Sequence, residues 1–215
     1  MVFYFRLSDD EIADDFRVYM GDDKHENEKL IRWGFPEDVW FHVDDLSSAH
    51  VYLRMPRGTS IDDLPESVLE EMCQLVKHNS IKGSKMKECS ICFTPWSNLR
   101  KGADMDIGTI GFHDESLVRH RRCMKDRVAI RRIERTRKQE HDVDFEAMRA
   151  DRDASVAAER RQARKAEINA RKAAREERKR LKRQQQYDFA FEDEAVMTSN
   201  RDMAMTAEEF EDSFM

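Results

Sequence analysis

From Asp144 to Gln186 the chain contains neither glycine nor proline, and it is filled with Ala, Arg, Lys, Glu and Gln. These residues favour helix. A stretch of that length without a breaker predicts one continuous helix about 65 Å long, at about 1.5 Å per residue. Its apolar positions are sparse: Phe145, Met148, Val156, Ile168 and Leu181. They do not repeat with the a and d spacing that a coiled-coil seam requires. The pattern predicts a single exposed helix supported by i,i+4 pairs of Glu and Arg, in a monomeric chain.

Charge is segregated along the chain. Residues 1–118 carry 13 Lys and Arg against 23 Asp and Glu, residues 119–186 carry 24 against 12, and residues 187–215 carry 1 against 9. The net charge of -6 therefore hides blocks of -10, +12 and -8. A basic element between acidic ones points to a polyanionic partner or to an acidic tail. With 38% charged residues and a mean hydropathy of -0.83, the whole chain does not read as one globule. No apolar run is long enough to cross a bilayer. The N-terminus turns acidic within ten residues, which argues against a secretory leader. Four cysteines are too few for a disulfide scaffold and fit a reducing compartment.

The fold class expected is α+β, a small mixed core domain over 1–118 followed by a long charged helix and a disordered acidic tail. Val2 to Phe5 and Arg17 to Met20 read as short strands, and His25 to Trp33 as a helix stopped by Gly34 and Pro36. Val39 to Val43 and His50 to Arg54 read as a hairpin joined by the Asp- and Ser-rich loop from Asp44 to Ser48. A second helix is expected from Ile61 to Asn79, with Val68, Leu69, Met72, Leu75 and Val76 on one apolar face. Cys89, Ile91 and Phe93 alternate as in a strand, and Ile107 to Phe112 is a candidate last strand weakened by its glycines. Residues 119–143 read as a connecting strand and helix, with helix from Asp126 to Gln139. Residues 144–186 form the long basic helix and 187–215 the acidic tail.

Period-two alternation divides the hairpin. Val39, Phe41, Val43, Val51 and Leu53 share one face; Trp40, His42, His50, Tyr52 and Arg54 share the other. If the aliphatic set is buried, the second set forms a surface of aromatic, imidazole and guanidinium groups suited to stacking bases and contacting phosphates. The alternative is that these rings pack under the helix of 61–79, with their histidines satisfied.

Other chemistry finds little support. Cys89 and Cys92 form a CxxC, but a zinc site needs two more ligands at suitable spacing, and an offset of three on a strand points the thiols to opposite faces. Ser47, Ser48, His42 and His50 lie close together without a nucleophile elbow. Neither a Walker loop nor a dinucleotide fingerprint is present. Asp38, Asp44 and Asp45 read as a solvated turn rather than a metal cluster. Catalytic residues, metal and cofactor are all expected to be none. The strongest signal is the run from Arg160 to Arg183, with 12 Lys and Arg against 3 Asp and Glu. Spread round a helix, these cations would release counterions from a phosphate backbone and position it without reading sequence. The densest part, Arg178 to Arg183, also reads as a nuclear-import signal. A membrane-surface role lacks the opposing apolar face.

A series of short motifs resembles the NFACT-R family, the RNA-binding module of NFACT proteins in ribosome-associated quality control, and in particular its small stand-alone members. It comprises Tyr19-Met20-Gly21, Glu26-Asn27-Glu28, Pro36 to Val43, Ser47 to Arg54, Thr94 to Leu99, Lys101 with Ala103 to Asp106, and Ile110 to His113. Two positions depart from the fused members. They favour Gly-Arg where this chain has Gly21-Asp22, and Gly-Ser-His where it has Ser48-Ala49-His50.

The resemblance implies a mixed core and a non-enzymatic RNA-binding protein on ribosomes or transfer RNA; the cysteine usage and the basic run add the expectation of a cytoplasmic protein able to enter the nucleus. The residues expected at the RNA are His42, His50, Arg54, Asn98, Arg100 and Lys101 of the core. The helix would add Arg160, Arg161, Arg164, Lys165, Arg171, Lys172, Arg175, Arg178, Lys179, Arg180, Lys182 and Arg183. The acidic tail could fold back and compete for that helix. The rival readings are a protein-interaction adaptor, a binder of DNA or an anionic surface through the same helix, and, more remotely, a nuclease using the histidines and aspartates.

Overall fold

A computed structural model describes residues 1–9 and 13–194. The chain divides into two units, Met1–Asp153 and Ala154–Met215. Among the described residues the elements run β1 (Val2–Phe5), β2 (Arg17–Gly21), α1 (Lys24–Trp33), β3 (Asp38–Val43), β4 (Val51–Arg54), α2 (Glu66–His78) and β5 (Glu88–Pro95). They continue with β6 (Leu99–Arg100), β7 (Gly111–Phe112), β8 (Arg119–Met124), α3 (Arg127–Glu134), β9 (Lys138–Glu140) and α4 (Phe145–Glu194). Seven strands form one antiparallel sheet in the order β8-β5-β3-β4-β2-β1-β9, and β6 pairs with β7 separately.

Alternation places the two faces of this sheet in different cores. Val39, Phe41, Val43, Val51 and Leu53 lie with Phe3, Val18, Ile91 and Phe93, and the apolar face of α2 covers them through Val68, Met72, Leu75 and Val76. The other face carries Val2, Tyr19, Trp40, Tyr52 and Cys92 and is covered by Leu30 of α1, by Leu99 and by Phe145. The hairpin register pairs Trp40 with Tyr52 and Asp38 with Arg54. The aromatic set is therefore buried, but not beneath α2: Trp40 is 2% exposed and Tyr52 0%. Cys89 and Cys92 fall in opposite cores, as an offset of three on a strand requires.

The candidate strand of 107–112 shrinks to β7, Gly111–Phe112, and three helices begin or end elsewhere than the sequence reading has them. The helix expected from Ile61 is broken. Ile61–Asp63 forms a single 3-10 turn capped by Ser60, Leu64 is extended, and α2 begins after Pro65. Proline disfavours helical geometry at the residue before it. The helix expected to run to Gln139 stops at Glu134. The Thr136 hydroxyl donates to Ile133 O and accepts from the Arg6 amide, and the chain turns into β9, which pairs with β1. Segment 119–143 thus supplies both edge strands of the sheet, β8 and β9, rather than a connection out of the core.

The third difference is the end of α4, which continues to Glu194, past the expected end at Gln186. The rest of the expected acidic tail, 195–215, lies outside the described residues. The first turns of α4 belong to the core unit. Phe145 is 6% exposed, Arg149 donates to Gly34 O, and Arg152 pairs with Glu37. Among the described residues no helix is long and apolar enough to cross a membrane.

Candidate nucleic-acid interface

The hairpin brings Trp40, His42 and His50 into one cluster. The Trp40 indole N–H donates to His50 Nδ1 at 2.9 Å. The His42 ring stacks on Trp40 with centroids 5.4 Å apart and planes 6° apart, and His50 meets His42 edge-on at 4.9 Å. Trp40 is buried, whereas both histidines are half-buried. His42 therefore caps an aromatic stack at the edge of a cleft of about 280 Å³, bordered by Asp44, Asp45, Ile110 and Phe112. Burial, and then His42 beside it, push the His50 imidazole down to about 3. Burial also lowers His42, although Asp44 opposes the shift. Both rings are neutral at pH 7. His50 uses its lone pair on Trp40, so it braces the stack rather than shuttling protons.

The other core residues expected at the RNA have separate fates. Arg54 is tied to Asp38, which is fully buried; Nε donates to Oδ1 at 2.8 Å and Nη2 to Oδ2 at 3.1 Å. Asp38 also accepts from Tyr19 Oη at 2.6 Å and from the Phe35 amide at 2.6 Å. The guanidinium lies over the Phe35 ring at 3.3 Å. Burial works against the charge of Arg54, but Tyr19 and Asp38 outweigh it and hold the pKa above its usual value.

Asn98 is 3% exposed. It donates to Thr94 Oγ1 at 2.9 Å and Asp114 O at 2.8 Å, and accepts from the Asp114 amide at 2.9 Å. Lys101 donates to Asp106 O at 2.6 Å and Thr109 O at 2.7 Å and pairs with Glu28 at 2.9 Å. It closes the loop of 102–109 onto α1. Glu28 is held below its usual range because the Gly108 amide and Lys101 together outweigh its burial. Arg54, Asn98 and Lys101, expected to face RNA, are thus internal braces. Arg100 is exposed and, among the described residues, has no ion-pair partner.

All twelve basic residues of 160–183 are exposed on α4. Among the described residues only Lys179 is engaged, by Glu176 at 3.0 Å. They are not spread evenly. At about 100° per residue, eleven of the twelve fall within an arc of about 140°, and only Arg180 lies outside it. The opposite side carries Ala163, Ala166, Ala170, Ala173 and Ala174. The expectation of cations all round the helix gives way to a one-sided basic stripe about 35 Å long. The correction follows once the helix is continuous, because only an unbroken helix keeps positions 160 and 178 in phase.

A second basic group escaped the reading of motifs. Residues 119–138 hold ten Lys and Arg against two Asp and Glu, and they form β8, α3 and the approach to β9. The arginines of β8 are neutralised: Arg119 by Asp62, Arg121 by Glu66, and Arg122 by Glu88 at 3.6 Å. Those of α3 are exposed. A charge count in a sliding window would have found this group, which the denser run after Arg160 overshadowed. Among the described residues no three His, Cys, Asp or Glu side chains converge as a metal site would require.

A family model described as the NFACT protein RNA binding domain matches residues 1–114. The chain is 53% identical over 154 residues to coiled-coil domain-containing protein 25 of Danio rerio, covering 71% of this chain and 73% of that protein. It is 46% identical over 191 residues to coiled-coil domain-containing protein 25 of Bos taurus, covering 87% of each. Protein JLP2 of Saccharomyces cerevisiae is 40% identical over 141 residues, covering 64% of this chain and 68% of the relative.

Proposed function

The chain belongs to the family of NFACT protein RNA-binding domains, and from that premise we propose that it is a non-enzymatic RNA-binding protein of the cytoplasm that acts on ribosomal or transfer RNA. The basic stripe of α4 carries the reading. Eleven cations face one side of a helix, and among the described residues only Lys179 is in an ion pair. Like charges at i,i+4 weaken a helix, so the stripe costs stability unless a polyanion neutralises it. A phosphate backbone supplies that charge, and each contact releases a condensed counterion.

The core contributes the capped stack of Trp40 and His42 and the exposed Arg100. An unpaired base can lie against the outer face of His42, with the Asp44 and Asp45 carboxylates near enough to accept from exocyclic amino groups. No proton-transfer role is assigned to His50, whose Nδ1 accepts from Trp40 and whose imidazole is neutral.

Crosslinking in cells, followed by sequencing of the attached nucleic acid, tests this for the full chain beside a 1–153 truncation. The cut respects Phe145, Arg149 and Arg152, which pack on the core. Defined sites in ribosomal or transfer RNA that survive the truncation are expected, with lower yield. Absent or diffuse crosslinks from both chains would overturn the proposal and leave an adaptor role for the helix.

A further inference from the structure

We propose that α3 and the groove beside β9 form a second RNA-binding surface, on the core itself and separate in sequence from the basic stripe of α4. This deepens the RNA-binding reading and rests on it.

Arg127, Arg131 and Arg135 recur every four residues, and with Arg132 they span an arc of about 140° at about 100° per residue. Ile130 and Ile133 lie on the opposite side and are buried, 7% and 1% exposed. Successive arginines of the stripe stand about 6 Å apart along the axis. All four are exposed, and among the described residues none has an ion-pair partner. Like charges four residues apart repel along a helix; the helix dipole offsets this for Arg131, Arg132 and Arg135 at the C-terminal turn but works against Arg127 in the first turn. The neighbouring strand makes the contrast: each arginine of β8 faces a carboxylate.

The stripe leads into a groove. Arg135 also borders a cleft of about 760 Å³ beside β9 and the β1–β2 ribbon, together with Arg6, Arg17, Arg137 and Lys138. Arg17 and Lys138 are exposed and without an ion-pair partner among the described residues, whereas Arg137 is turned onto the Phe3 ring at 3.8 Å. The lining also holds two carboxylates, Asp14, which pairs with Arg6 at 3.4 Å, and Glu140. Tyr4, half-buried, gives the groove aromatic surface, while Phe16 beneath it belongs to the core. Cations beside aromatic rings suit a single strand, whose phosphates are held while a base lies on a ring.

The residue types favour a nucleic-acid strand over a lipid surface or a protein partner, and the choice of RNA rests on the family. Guanidinium groups match phosphate with paired hydrogen bonds. A lipid surface would need an apolar face, and the exposed arc of α3 offers only Val128. The centre of a protein interface would need apolar anchors that the arc lacks.

The test uses the full chain and a mixed-sequence single-stranded RNA oligomer, with affinity measured over a range of salt. One variant carries Arg127→Gln, Arg131→Gln, Arg132→Gln and Arg135→Gln. A second carries Arg171→Gln, Lys172→Gln, Arg175→Gln and Arg178→Gln on α4. A third replaces the four α3 arginines by Lys, keeping the charge. At about 0.7 per phosphate contact on a single strand, loss of four contacts makes the slope of log K against log salt shallower by up to about 2.8, and weakens binding at 0.15 M salt by up to about 200-fold. The α3 glutamine variant is expected to show a shallower slope and weaker binding, and the lysine variant to restore most of both. An unchanged slope and affinity for the α3 variant, with loss in the α4 variant, overturns this surface and leaves the RNA-binding reading standing. If the parent chain binds no RNA, both fall.

Discussion

Arg54 decides between two accounts of the hairpin. The sequence places it on a face with Trp40, His42, His50 and Tyr52, where it could contact phosphate. The structure pairs it with Asp38, a carboxylate with no exposed surface, in a side chain that is itself only 16% exposed. Removing the guanidinium by Arg54→Met keeps much of the packing against Phe35 but leaves Asp38 charged and buried. Its two remaining donors are the Tyr19 hydroxyl and the Phe35 amide.

Two charged hydrogen bonds at about 1.5–3 kcal/mol each give about 3–6 kcal/mol. Breaking a buried pair from one side typically costs about 3–5 kcal/mol. With a urea m-value of about 2 kcal/mol/M, a loss of 4 kcal/mol lowers the unfolding midpoint by about 2 M. The assay is urea unfolding followed by tryptophan fluorescence, which Trp40 reports from inside the affected core. RNA affinity is measured in parallel under conditions where the variant remains folded. The expected result is a large fall in stability with affinity within about twofold of the parent. A variant as stable as the parent that had lost RNA binding would refute the assignment of Arg54 as a brace and return it to the interface.

Stability should depend on pH through His50. Its folded pKa, about 3, lies below the ordinary histidine value, so the unfolded state binds the extra proton as pH falls through 6.5. Stability is therefore full above about pH 7 and declines by about 1 kcal/mol per pH unit between pH 6 and 4. His50→Asn, which leaves an acceptor for the Trp40 indole, is expected to flatten that slope; an equally steep slope in the variant would assign it elsewhere. Phe145→Ala should cost the core unit about 3–5 kcal/mol, since the ring is 6% exposed against the aromatic face of the sheet. A chain ending at residue 140 should accordingly unfold at lower urea than one ending at 153, and equal midpoints would deny Phe145 a role in the core. Buried thiols at Cys73 and Cys123, both raised by burial, should resist alkylation in the native state; labelling as fast as in urea would contradict that burial.

Alternation made the centre of the sheet legible. Val39, Phe41 and Val43 against Trp40 and His42 gave the two faces, and the apolar spacing of Val68, Met72, Leu75 and Val76 gave the covering helix. The edges were not legible, because β8 and β9 are nearly all polar. Lys138-Gln139-Glu140 carries no apolar alternation and becomes a strand only through its pairing with β1. Residue Phe145 read as a stray apolar position on an exposed helix, because nothing local says that a ring so far along the chain closes the face built by Trp40 and Tyr52. The Asp38–Arg54 pair was within reach: extending the hairpin register by two positions beyond Trp40 and Tyr52 sets these opposite charges directly across from each other. The one-sidedness of the α4 stripe was also within reach, since only the count of degrees per residue was needed once the helix was granted. What could not be read was which cations the fold would neutralise. Arg121 and Arg131 sit in similar basic runs, yet one meets Glu66 and the other meets solvent.

The placement of charge and rings sets how this protein would choose its RNA. The large aromatic face is covered by α1, Leu99 and Phe145, so Tyr19 and Tyr52 are out of reach of a ligand. Among the described residues, the edge of the His42 stack, its small cleft and the groove beside β9 offer places for bases. The exposed cations are far more numerous, on α3 and along α4, and phosphate contacts fix position without carrying sequence. Affinity should therefore be dominated by salt-sensitive backbone contacts, and discrimination among RNAs should come from shape: whether an unpaired base is free to lie against His42. On this reasoning, crosslinked sites should share an exposed, unstacked nucleotide beside a structured backbone rather than a common base sequence.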